Sequence, residues 1–178
     1  MEPRSSVRME SSRLDAGALY RAHAPFVAGF LMRLGVERRS VEDLVHEVFL
    51  VAHQQGGFVP GAAKPTTWLA SIAVRVAANH RRARSLRQSV VREGAEDVES
   101  VHPYTPESTA SEREQLARVQ ACLDALPDDQ RAVFVLFEIE GEDCAAIAHA
   151  FGVPVGTVYS RLHAARKAFQ QAFQERRP

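Results

Sequence analysis

Residues 142–169, EDCAAIAHAFGVPVGTVYSRLHAARKAF, decide the fold of the second half of this 178-residue chain. A short apolar helical pattern ends at a turn around Gly152, and a longer helical pattern follows directly. This spacing is typical of a helix-turn-helix that reads DNA, although the same geometry also occurs as plain helix packing. The apolar positions predicted to form the inward side of the longer helix are Val155, Val158, Leu162, Ala165, Phe169 and Phe173.

The other side of that longer helix is polar and basic. Small polar side chains near the N-terminus of a recognition helix reach the edges of bases, whereas arginine and lysine bind phosphates. The pattern therefore predicts a surface for duplex DNA. Its candidate residues are Thr157, Ser160, Arg161, His163, Arg166 and Lys167.

Helical periodicity dominates the rest of the chain as well, and no segment alternates convincingly as a strand does. Residues 91–114, VREGAEDVESVHPYTPESTASERE, break the pattern because they are acidic, hold two prolines and lack an apolar period. The expected fold class is therefore all-α. We expect two small helical domains, at residues 13–88 and 113–175, joined by an acidic linker at residues 89–112.

Charge is unevenly distributed along a chain whose net charge is zero. Residues 1–88 hold 13 Lys and Arg against 7 Asp and Glu, whereas residues 89–130 hold 3 against 10. Residues 131–178 are nearly balanced, with 6 against 5. This asymmetry indicates basic modules that meet a polyanion and are joined by an acidic segment.

The basic first half contains TTWLASIAVRVAANHRRAR at residues 66–84, which includes the only tryptophan of the chain. On a helix, the predicted core stripe consists of Leu69, Ile72, Ala73, Val76 and Ala83. The residues predicted on the other side are Trp68, Ser71, Arg75, Asn79 and Arg82. An aromatic ring beside guanidinium groups suits unpaired bases, because the ring stacks on a base and arginine neutralises phosphate. The alternative is that the ring packs at a seam with a neighbouring helix.

The preceding helical stretch, SVEDLVHEVFLVAHQQ at residues 40–55, is also amphipathic. Its outward side combines acidic residues and a histidine with an apolar residue. This combination indicates either a protein-docking face or a solvated face with an incidental leucine. The candidate docking residues are Asp43, His46, Glu47, Phe49 at the edge, and Leu50.

Enzyme chemistry is not expected. No Ser/His/Asp, Cys/His or metal-ligand spacing occurs, and His46 and His53 would lie about 10 Å apart along a helix axis, too far to share a zinc ion. We therefore expect no catalytic residue, metal or cofactor. Cys122 and Cys144 are isolated and are expected to be reduced and buried. The polar first residues and the lack of an 18-residue apolar run predict a cytoplasmic protein that does not insert into a membrane.

Three motifs together make the chain resemble the bacterial RNA polymerase sigma factors of the extracytoplasmic-function (ECF) family, group 4 of the sigma-70 proteins. DLVHEVFLVAHQ at residues 43–54 resembles the D-L-x-Q-E-x-F segment of that family, with His46 in place of the usual Gln. TTWLASIAVRVAANHRR at residues 66–82 is similar to its W-L-x-x-I-A segment. The residues P-x-G-T-V-x-S-R-L at 154–162 look like its DNA-reading core, and the resemblance covers nearly the whole chain.

The resemblance implies a function without covalent chemistry, namely promoter-specific initiation of transcription. It implies that core RNA polymerase docks on the first motif, through Asp43, Glu47, Phe49 and Leu50. The second motif would open the −10 element and read it as a single strand, with a base held by the loop at residues 58–67. The helix-turn-helix would read the duplex −35 element.

The same resemblance implies an anti-sigma factor as a further partner. The chain departs from the family pattern at Arg75, where Asn is common, and at Tyr159 and Ala164, where basic residues are frequent. A different class of protein is the alternative, a conventional helix-turn-helix regulator that binds duplex DNA as a dimer without polymerase. The docking helix and the Trp/Arg helix argue against that alternative.

Overall fold

The computed structural model describes residues 13–90 and 110–176. Over these residues it is helical, without a strand beyond an isolated antiparallel bridge between Leu14 and Phe58. This confirms the all-α fold class. The helices are α1 (Ala16–Arg33), α2 (Arg38–Gln54), α3 (Pro65–Val90), α4 (Ala110–Asp124), α5 (Asp128–Phe134), α6 (Cys144–Phe151) and α7 (Val155–Glu175). A single π-helical turn at Val135–Ile139 continues α5.

The predicted linker at residues 89–112 falls mostly on residues 91–109, which lie outside the described residues. Its described ends are helical, since α3 continues to Val90 and α4 begins at Ala110. Within the two described ranges, no helix combines the length and the apolar character that crossing a bilayer requires.

The first domain consists of α1, α2 and α3. Asp15 fixes the start of α1, because its carboxylate accepts a hydrogen bond from the backbone N–H of Ala18 at 2.8 Å and so caps the helix. Two backbone hydrogen bonds of 2.9 Å join Leu14 to Phe58 and tie the loop before α3 to the start of α1. Gly57 has a φ of +84°, and a Cβ at this position would collide with the Leu14 carbonyl oxygen. Only glycine allows this close approach.

The second domain consists of α4 to α7 and contains the predicted helix-turn-helix, α6 and α7. The carboxylate of Asp143 caps α6 by accepting a hydrogen bond from the N–H of Ala146 at 2.7 Å. Gly152 ends α6 in the left-handed conformation, with φ of 64°. The middle of the predicted inward stripe of α7 is buried, but Val155 and Phe173 were wrongly placed inside. They are 42% and 40% exposed, because they lie in the first and last turns of the helix.

The two domains pack against each other along α3, whereas the sequence predicted two modules with separate surfaces. α3 contacts α1 and α2 of its own domain and also α5 and α6 of the second. Ala70 and Ala77 are fully buried, and helical spacing places them on the same side as Arg81, which forms an ion pair with Asp128 of α5 at 2.6 Å. A single hydrophobic cluster accordingly includes residues of both domains.

Candidate nucleic-acid and protein-binding surfaces

The outward side of α3, which we call the α3 face, consists of Trp68, Arg75, Asn79 and Arg82. The three polar residues are exposed, as predicted. Trp68 is half-buried, and its ring packs on Phe58 with the ring centroids 5.7 Å apart. The α3 face therefore presents an aromatic ring at one end and guanidinium groups along the next four turns.

A cavity of about 340 Å³ opens beside the Trp68 ring. The loop before α3 supplies most of its wall, including Phe58 and Val59, and α6 of the second domain supplies His149 and Ala150. The ring thus packs on the loop before α3 and borders an open space that α6 faces from the other side.

Two positions of α3 differ from the sequence prediction. Ser71 was expected on the outward side but is only 3% exposed, and its hydroxyl donates a hydrogen bond to the Trp68 carbonyl oxygen at 2.7 Å. A serine that bonds the preceding turn of its own helix loses little on burial, which explains its place in the core. Ala83 was expected inside and is exposed, because the core along α3 ends at Ala77 among the side chains described.

The outward side of α7, which we call the α7 face, carries the residues predicted to read duplex DNA. Ser160, His163 and Lys167 are exposed, and Thr157 is half-buried. The Ser160 hydroxyl donates a hydrogen bond to the Gly156 carbonyl oxygen at 2.9 Å. Thr157, Ser160 and His163 lie on the N-terminal half of α7, where a recognition helix meets base edges, and Lys167 follows one turn later.

The two arginines of the α7 face are held by acidic residues of α5 and the turn that follows it. Arg161 forms an ion pair with Asp129 at 2.9 Å, and Arg166 forms one with Glu138 at 2.6 Å. The Arg166 guanidinium also lies over the Phe137 ring, 5.2 Å from its centroid. Both arginines are therefore positioned at the edges of the recognition helix before any DNA is bound.

The outward side of α2, which we call the α2 face, presents Asp43, His46, Glu47 and Leu50. All four are exposed, and Leu50 is 56% exposed. Phe49 was predicted at the edge of this face, but it is only 5% exposed and belongs to the core. A residue at the edge of a helical stripe goes inward when a neighbouring helix covers it, and α1 covers this one.

Sequence reasoning missed Tyr20 of α1, which joins the α2 face. Its ring stacks on His46 with centroids 6.0 Å apart and meets Phe49 edge-on at 5.0 Å. Tyr20 is 39% exposed, so one part of the ring supports the core and the other part extends the surface. No local signal marks this residue, because its position depends on how α1 packs on α2.

Two groups have perturbed pKa values, and neither is one of the residues named on these three faces. Burial raises the pKa of the Cys144 thiol, and the neighbouring Asp143 carboxylate adds to the effect. Burial lowers the pKa of the Arg131 guanidinium, opposed by the Asp124 carboxylate. Cys122 and Cys144 are free and buried, as expected. In the part of the chain that the structure describes, no group of three His, Cys, Asp or Glu residues is placed to hold a metal ion.

Two sequence families match the chain domain by domain. Sigma-70 region 2 matches residues 19–87, and Sigma-70, region 4 matches residues 116–169. The first match spans the helices that carry the α2 and α3 faces. The second spans most of α4 to α7 and so includes the α7 face.

Individual proteins match over most of their length. The RNA polymerase sigma-H factor of Pseudomonas aeruginosa is 34% identical over 155 residues, which cover 83% of this chain and 80% of that protein. The ECF RNA polymerase sigma-E factor of Haemophilus influenzae is 33% identical over 155 residues, covering 83% and 82%. The RNA polymerase sigma factor HrpL of Pseudomonas syringae is 31% identical over 173 residues, covering 96% and 89%.

Solved structures share the fold. The sigma factor RpoE from Bartonella quintana, solved in complex with the anti-sigma factor NepR, aligns with a TM-score of 0.69 at 23% identity, covering 89% of this chain and 96% of that one. CnrH, solved in complex with the cytosolic domain of CnrY, aligns with a TM-score of 0.61 at 22% identity, covering 91% and 89%. With both sigma-70 regions present and relatives matched over four-fifths of their length, the chain belongs to the ECF sigma factors of the sigma-70 family, which direct RNA polymerase to promoters.

Proposed function

We propose that this sigma factor docks on core RNA polymerase through the α2 face, opens and captures the −10 element with the α3 face, and reads the duplex −35 element with the α7 face. The observation that carries the proposal is that each of the three motif-bearing helices turns a charged or aromatic side outward in the folded chain. The three faces lie on different helices, so one chain can contact polymerase and two promoter elements.

On the α2 face, Leu50 provides an apolar centre surrounded by charge. Apolar side chains at the centre of an interface contribute most of its binding energy, whereas charges at the rim set orientation and the rate of encounter. Asp43 and Glu47 are exposed and suit a basic partner surface. Phe49 lies beneath this face, where its ring meets that of Tyr20 edge-on and belongs to the core.

On the α3 face, the capture of unpaired bases offsets part of the free-energy cost of separating the DNA strands. Breaking a base-pair step costs about 1–2 kcal/mol in stacking, and stacking a released base on an aromatic side chain returns about 1–3 kcal/mol. Trp68 and the loop beside it suit such a base, while Arg75 and Arg82 are placed to neutralise the phosphates of the same strand. Asn79 lies between them and can read a base edge.

On the α7 face, His163 and Ser160 are placed for base edges and the basic residues for phosphates. In the free chain, Arg161 and Arg166 are paired with carboxylates. They would have to exchange these partners for DNA phosphates on binding. Lys167 is exposed and would bind a phosphate, which adds to the affinity for DNA of any sequence.

The chain contributes sequence choice and strand opening, and polymerase contributes the chemistry, so we assign the chain no catalytic residue and no cofactor. We place its action in the cytoplasm, where polymerase is found, and propose an anti-sigma factor as a further partner. The likeness to RpoE solved with the anti-sigma factor NepR supports that last assignment through the shared fold.

The rival function, a dimeric regulator that binds DNA alone, is tested by retention of genomic fragments on the immobilised chain. We expect fragments to be retained only when core polymerase is present. Retention of palindromic fragments by the chain alone, undiminished by Leu50→Asp, would establish the rival instead.

A further inference from the structure

The N-terminal half of α7 presents two apolar side chains to which no role has been assigned. Tyr159 is 59% exposed and Val155 is 42% exposed. They are the fifth and the first residue of α7, so they lie one turn apart on the same side of the helix. Within residues 13–90 and 110–176, no hydrogen bond, ion pair or ring contact holds the Tyr159 side chain. A large ring therefore stands free in water on the helix that carries the α7 face.

Tyr159 lies where a recognition helix meets base edges. Ser160 is the next residue, and His163 follows one turn later on the same side of α7; both are exposed. Residues near the N-terminus of a recognition helix contact bases in the major groove, which is wide enough to admit a helix. The ring of Tyr159 would thus enter the groove together with two side chains that we assign to bases.

The chemistry of the ring differs from that of its neighbours. Arg161, Arg166 and Lys167 supply the cations that bind phosphates on this helix. Tyr159 cannot do so in place of the basic residue that is frequent at its position in the ECF family, because its ring carries no positive charge. The apolar group that the major groove offers to such a ring is the C5-methyl of thymine, which marks thymine alone among the four bases.

We propose that Tyr159, together with Val155, packs on the C5-methyl group of a thymine in the −35 element and so makes this chain select a T·A pair at that position. The inference rests on the proposed function, because it assumes that the α7 face reads the duplex −35 element. It adds an apolar contact that sets sequence preference to the hydrogen bonds expected from Ser160 and His163.

Removing the methyl group from the DNA measures this contact by itself. Deoxyuridine pairs with adenine as thymidine does and lacks only the C5-methyl. Burying one carbon of this kind against an apolar side chain changes affinity by about 4-fold. The parent chain should therefore bind about 4-fold more weakly when deoxyuridine replaces the contacted thymine.

The experiment uses the full chain bound to core polymerase and a library of duplexes. The library is built on a promoter that the chain uses in run-off transcription, and it is randomised over the −35 region. The sequences retained by the parent chain and by Tyr159→Ala are compared, and deoxyuridine then replaces each thymine on either strand of the selected element. Tyr159 is exposed, so its truncation leaves the fold intact. We expect Tyr159→Ala to lose one thymine preference of the parent chain and to bind the two duplexes equally.

Two further variants separate the ring from its hydroxyl group and from charge. Tyr159→Phe keeps the ring, so it should keep both the thymine preference and the weaker binding to deoxyuridine. Tyr159→Lys introduces a cation, so it should lose the preference and steepen the slope of log affinity against log salt by about one. The matched control is Leu116→Ala, which truncates an exposed apolar side chain on α4 and should behave as the parent chain does.

The thymine contact is overturned if the preference survives Tyr159→Ala, or if the parent chain prefers no thymine on either strand. Loss of the preference in Tyr159→Phe would assign the contact to the hydroxyl group and overturn it as well. Weaker binding of Tyr159→Ala to core polymerase without DNA would show that the ring contacts protein instead.

Two variants of the polar residues test the proposed function separately. If neither His163→Ala nor Lys167→Ala alters the selected −35 sequences or the affinity for them, the α7 face does not read this element, and the proposed function fails. If both variants have their expected effects and Tyr159→Ala has none, only the thymine contact fails.

Discussion

Phe49 and Leu50 are neighbours in sequence with opposite surroundings, so they separate the stability of the fold from its binding to polymerase. Phe49 is 5% exposed and packs on Tyr20, whereas Leu50 is 56% exposed. We predict that Phe49→Ala lowers the free energy of unfolding and leaves binding of the folded chain nearly intact. Leu50→Ala should weaken binding to polymerase and leave the free energy of unfolding nearly unchanged.

The structure sets the size of both effects. Truncating a buried phenylalanine costs about 3–5 kcal/mol, which for a chain of this length lowers the Tm by about 6–20 °C. Burying a whole leucine side chain contributes about 1.5–3 kcal/mol, so the exposed half of Leu50 contributes about 0.8–1.7 kcal/mol at the polymerase surface. Leu50→Ala should then raise the Kd about 4- to 18-fold. Leu50→Asp, which also places a charge at the centre of the face, should abolish co-purification.

The assays are urea unfolding followed by circular dichroism and titration of the chain against labelled core polymerase, at a temperature where every variant is folded. Leu116→Ala is the matched control, because Leu116 is a 48% exposed leucine on α4, outside the α2 face. It should change neither reading.

Undiminished binding by Leu50→Asp would show that polymerase docks elsewhere on the chain. An unfolding midpoint unaltered by Phe49→Ala would show that this ring lies outside the core. It would also contradict the contact between Phe49 and Tyr20 that places Tyr20 beside the α2 face.

Three further predictions concern DNA and stability. Trp68→Ala and Arg82→Ala should weaken open-complex formation more than polymerase binding, and thymine reactivity to permanganate at −10 that matches the parent chain would argue against the α3 face. His163→Ala should change the preferred −35 bases in a promoter-library readout, whereas Lys167→Ala should weaken binding to all sequences and reduce the slope of log affinity against log salt by about one. Arg131→Met should lower the free energy of unfolding by about 3–5 kcal/mol, because removing a guanidinium that is only 7% exposed leaves the buried carbonyl oxygens that accept its hydrogen bonds unpaired. An unchanged urea midpoint would contradict this.

Local sequence patterns were sufficient for the helices and for most of the three faces. The helical period and the turn at Gly152 act over a few residues, so they could be read from the chain alone. The caps Asp15 and Asp143 are equally local but were not predicted. Positions at the edge of a stripe were not decided in this way. Phe49 and Ser71 both went inward, the first because α1 covers it and the second because its hydroxyl bonds its own helix.

The packing of the two domains could not be predicted, because its contacts are long-range. Arg33 and Glu140 are 107 residues apart, and Lys64 and Glu142 are 78 apart. Nothing local distinguishes a charge that pairs across a seam from one that faces water. The alanines of α3 likewise give little apolar signal, although Ala70 and Ala77 are fully buried.

Run-off transcription tests the central claim most directly. Core polymerase, the purified chain and a library of genomic fragments are combined, and the transcripts are mapped. We expect transcripts that appear only when both proteins are present and that start downstream of two shared sequence elements, centred about 25 base pairs apart, as positions −35 and −10 are. Transcripts that do not depend on the chain, or starts without shared elements, would contradict it.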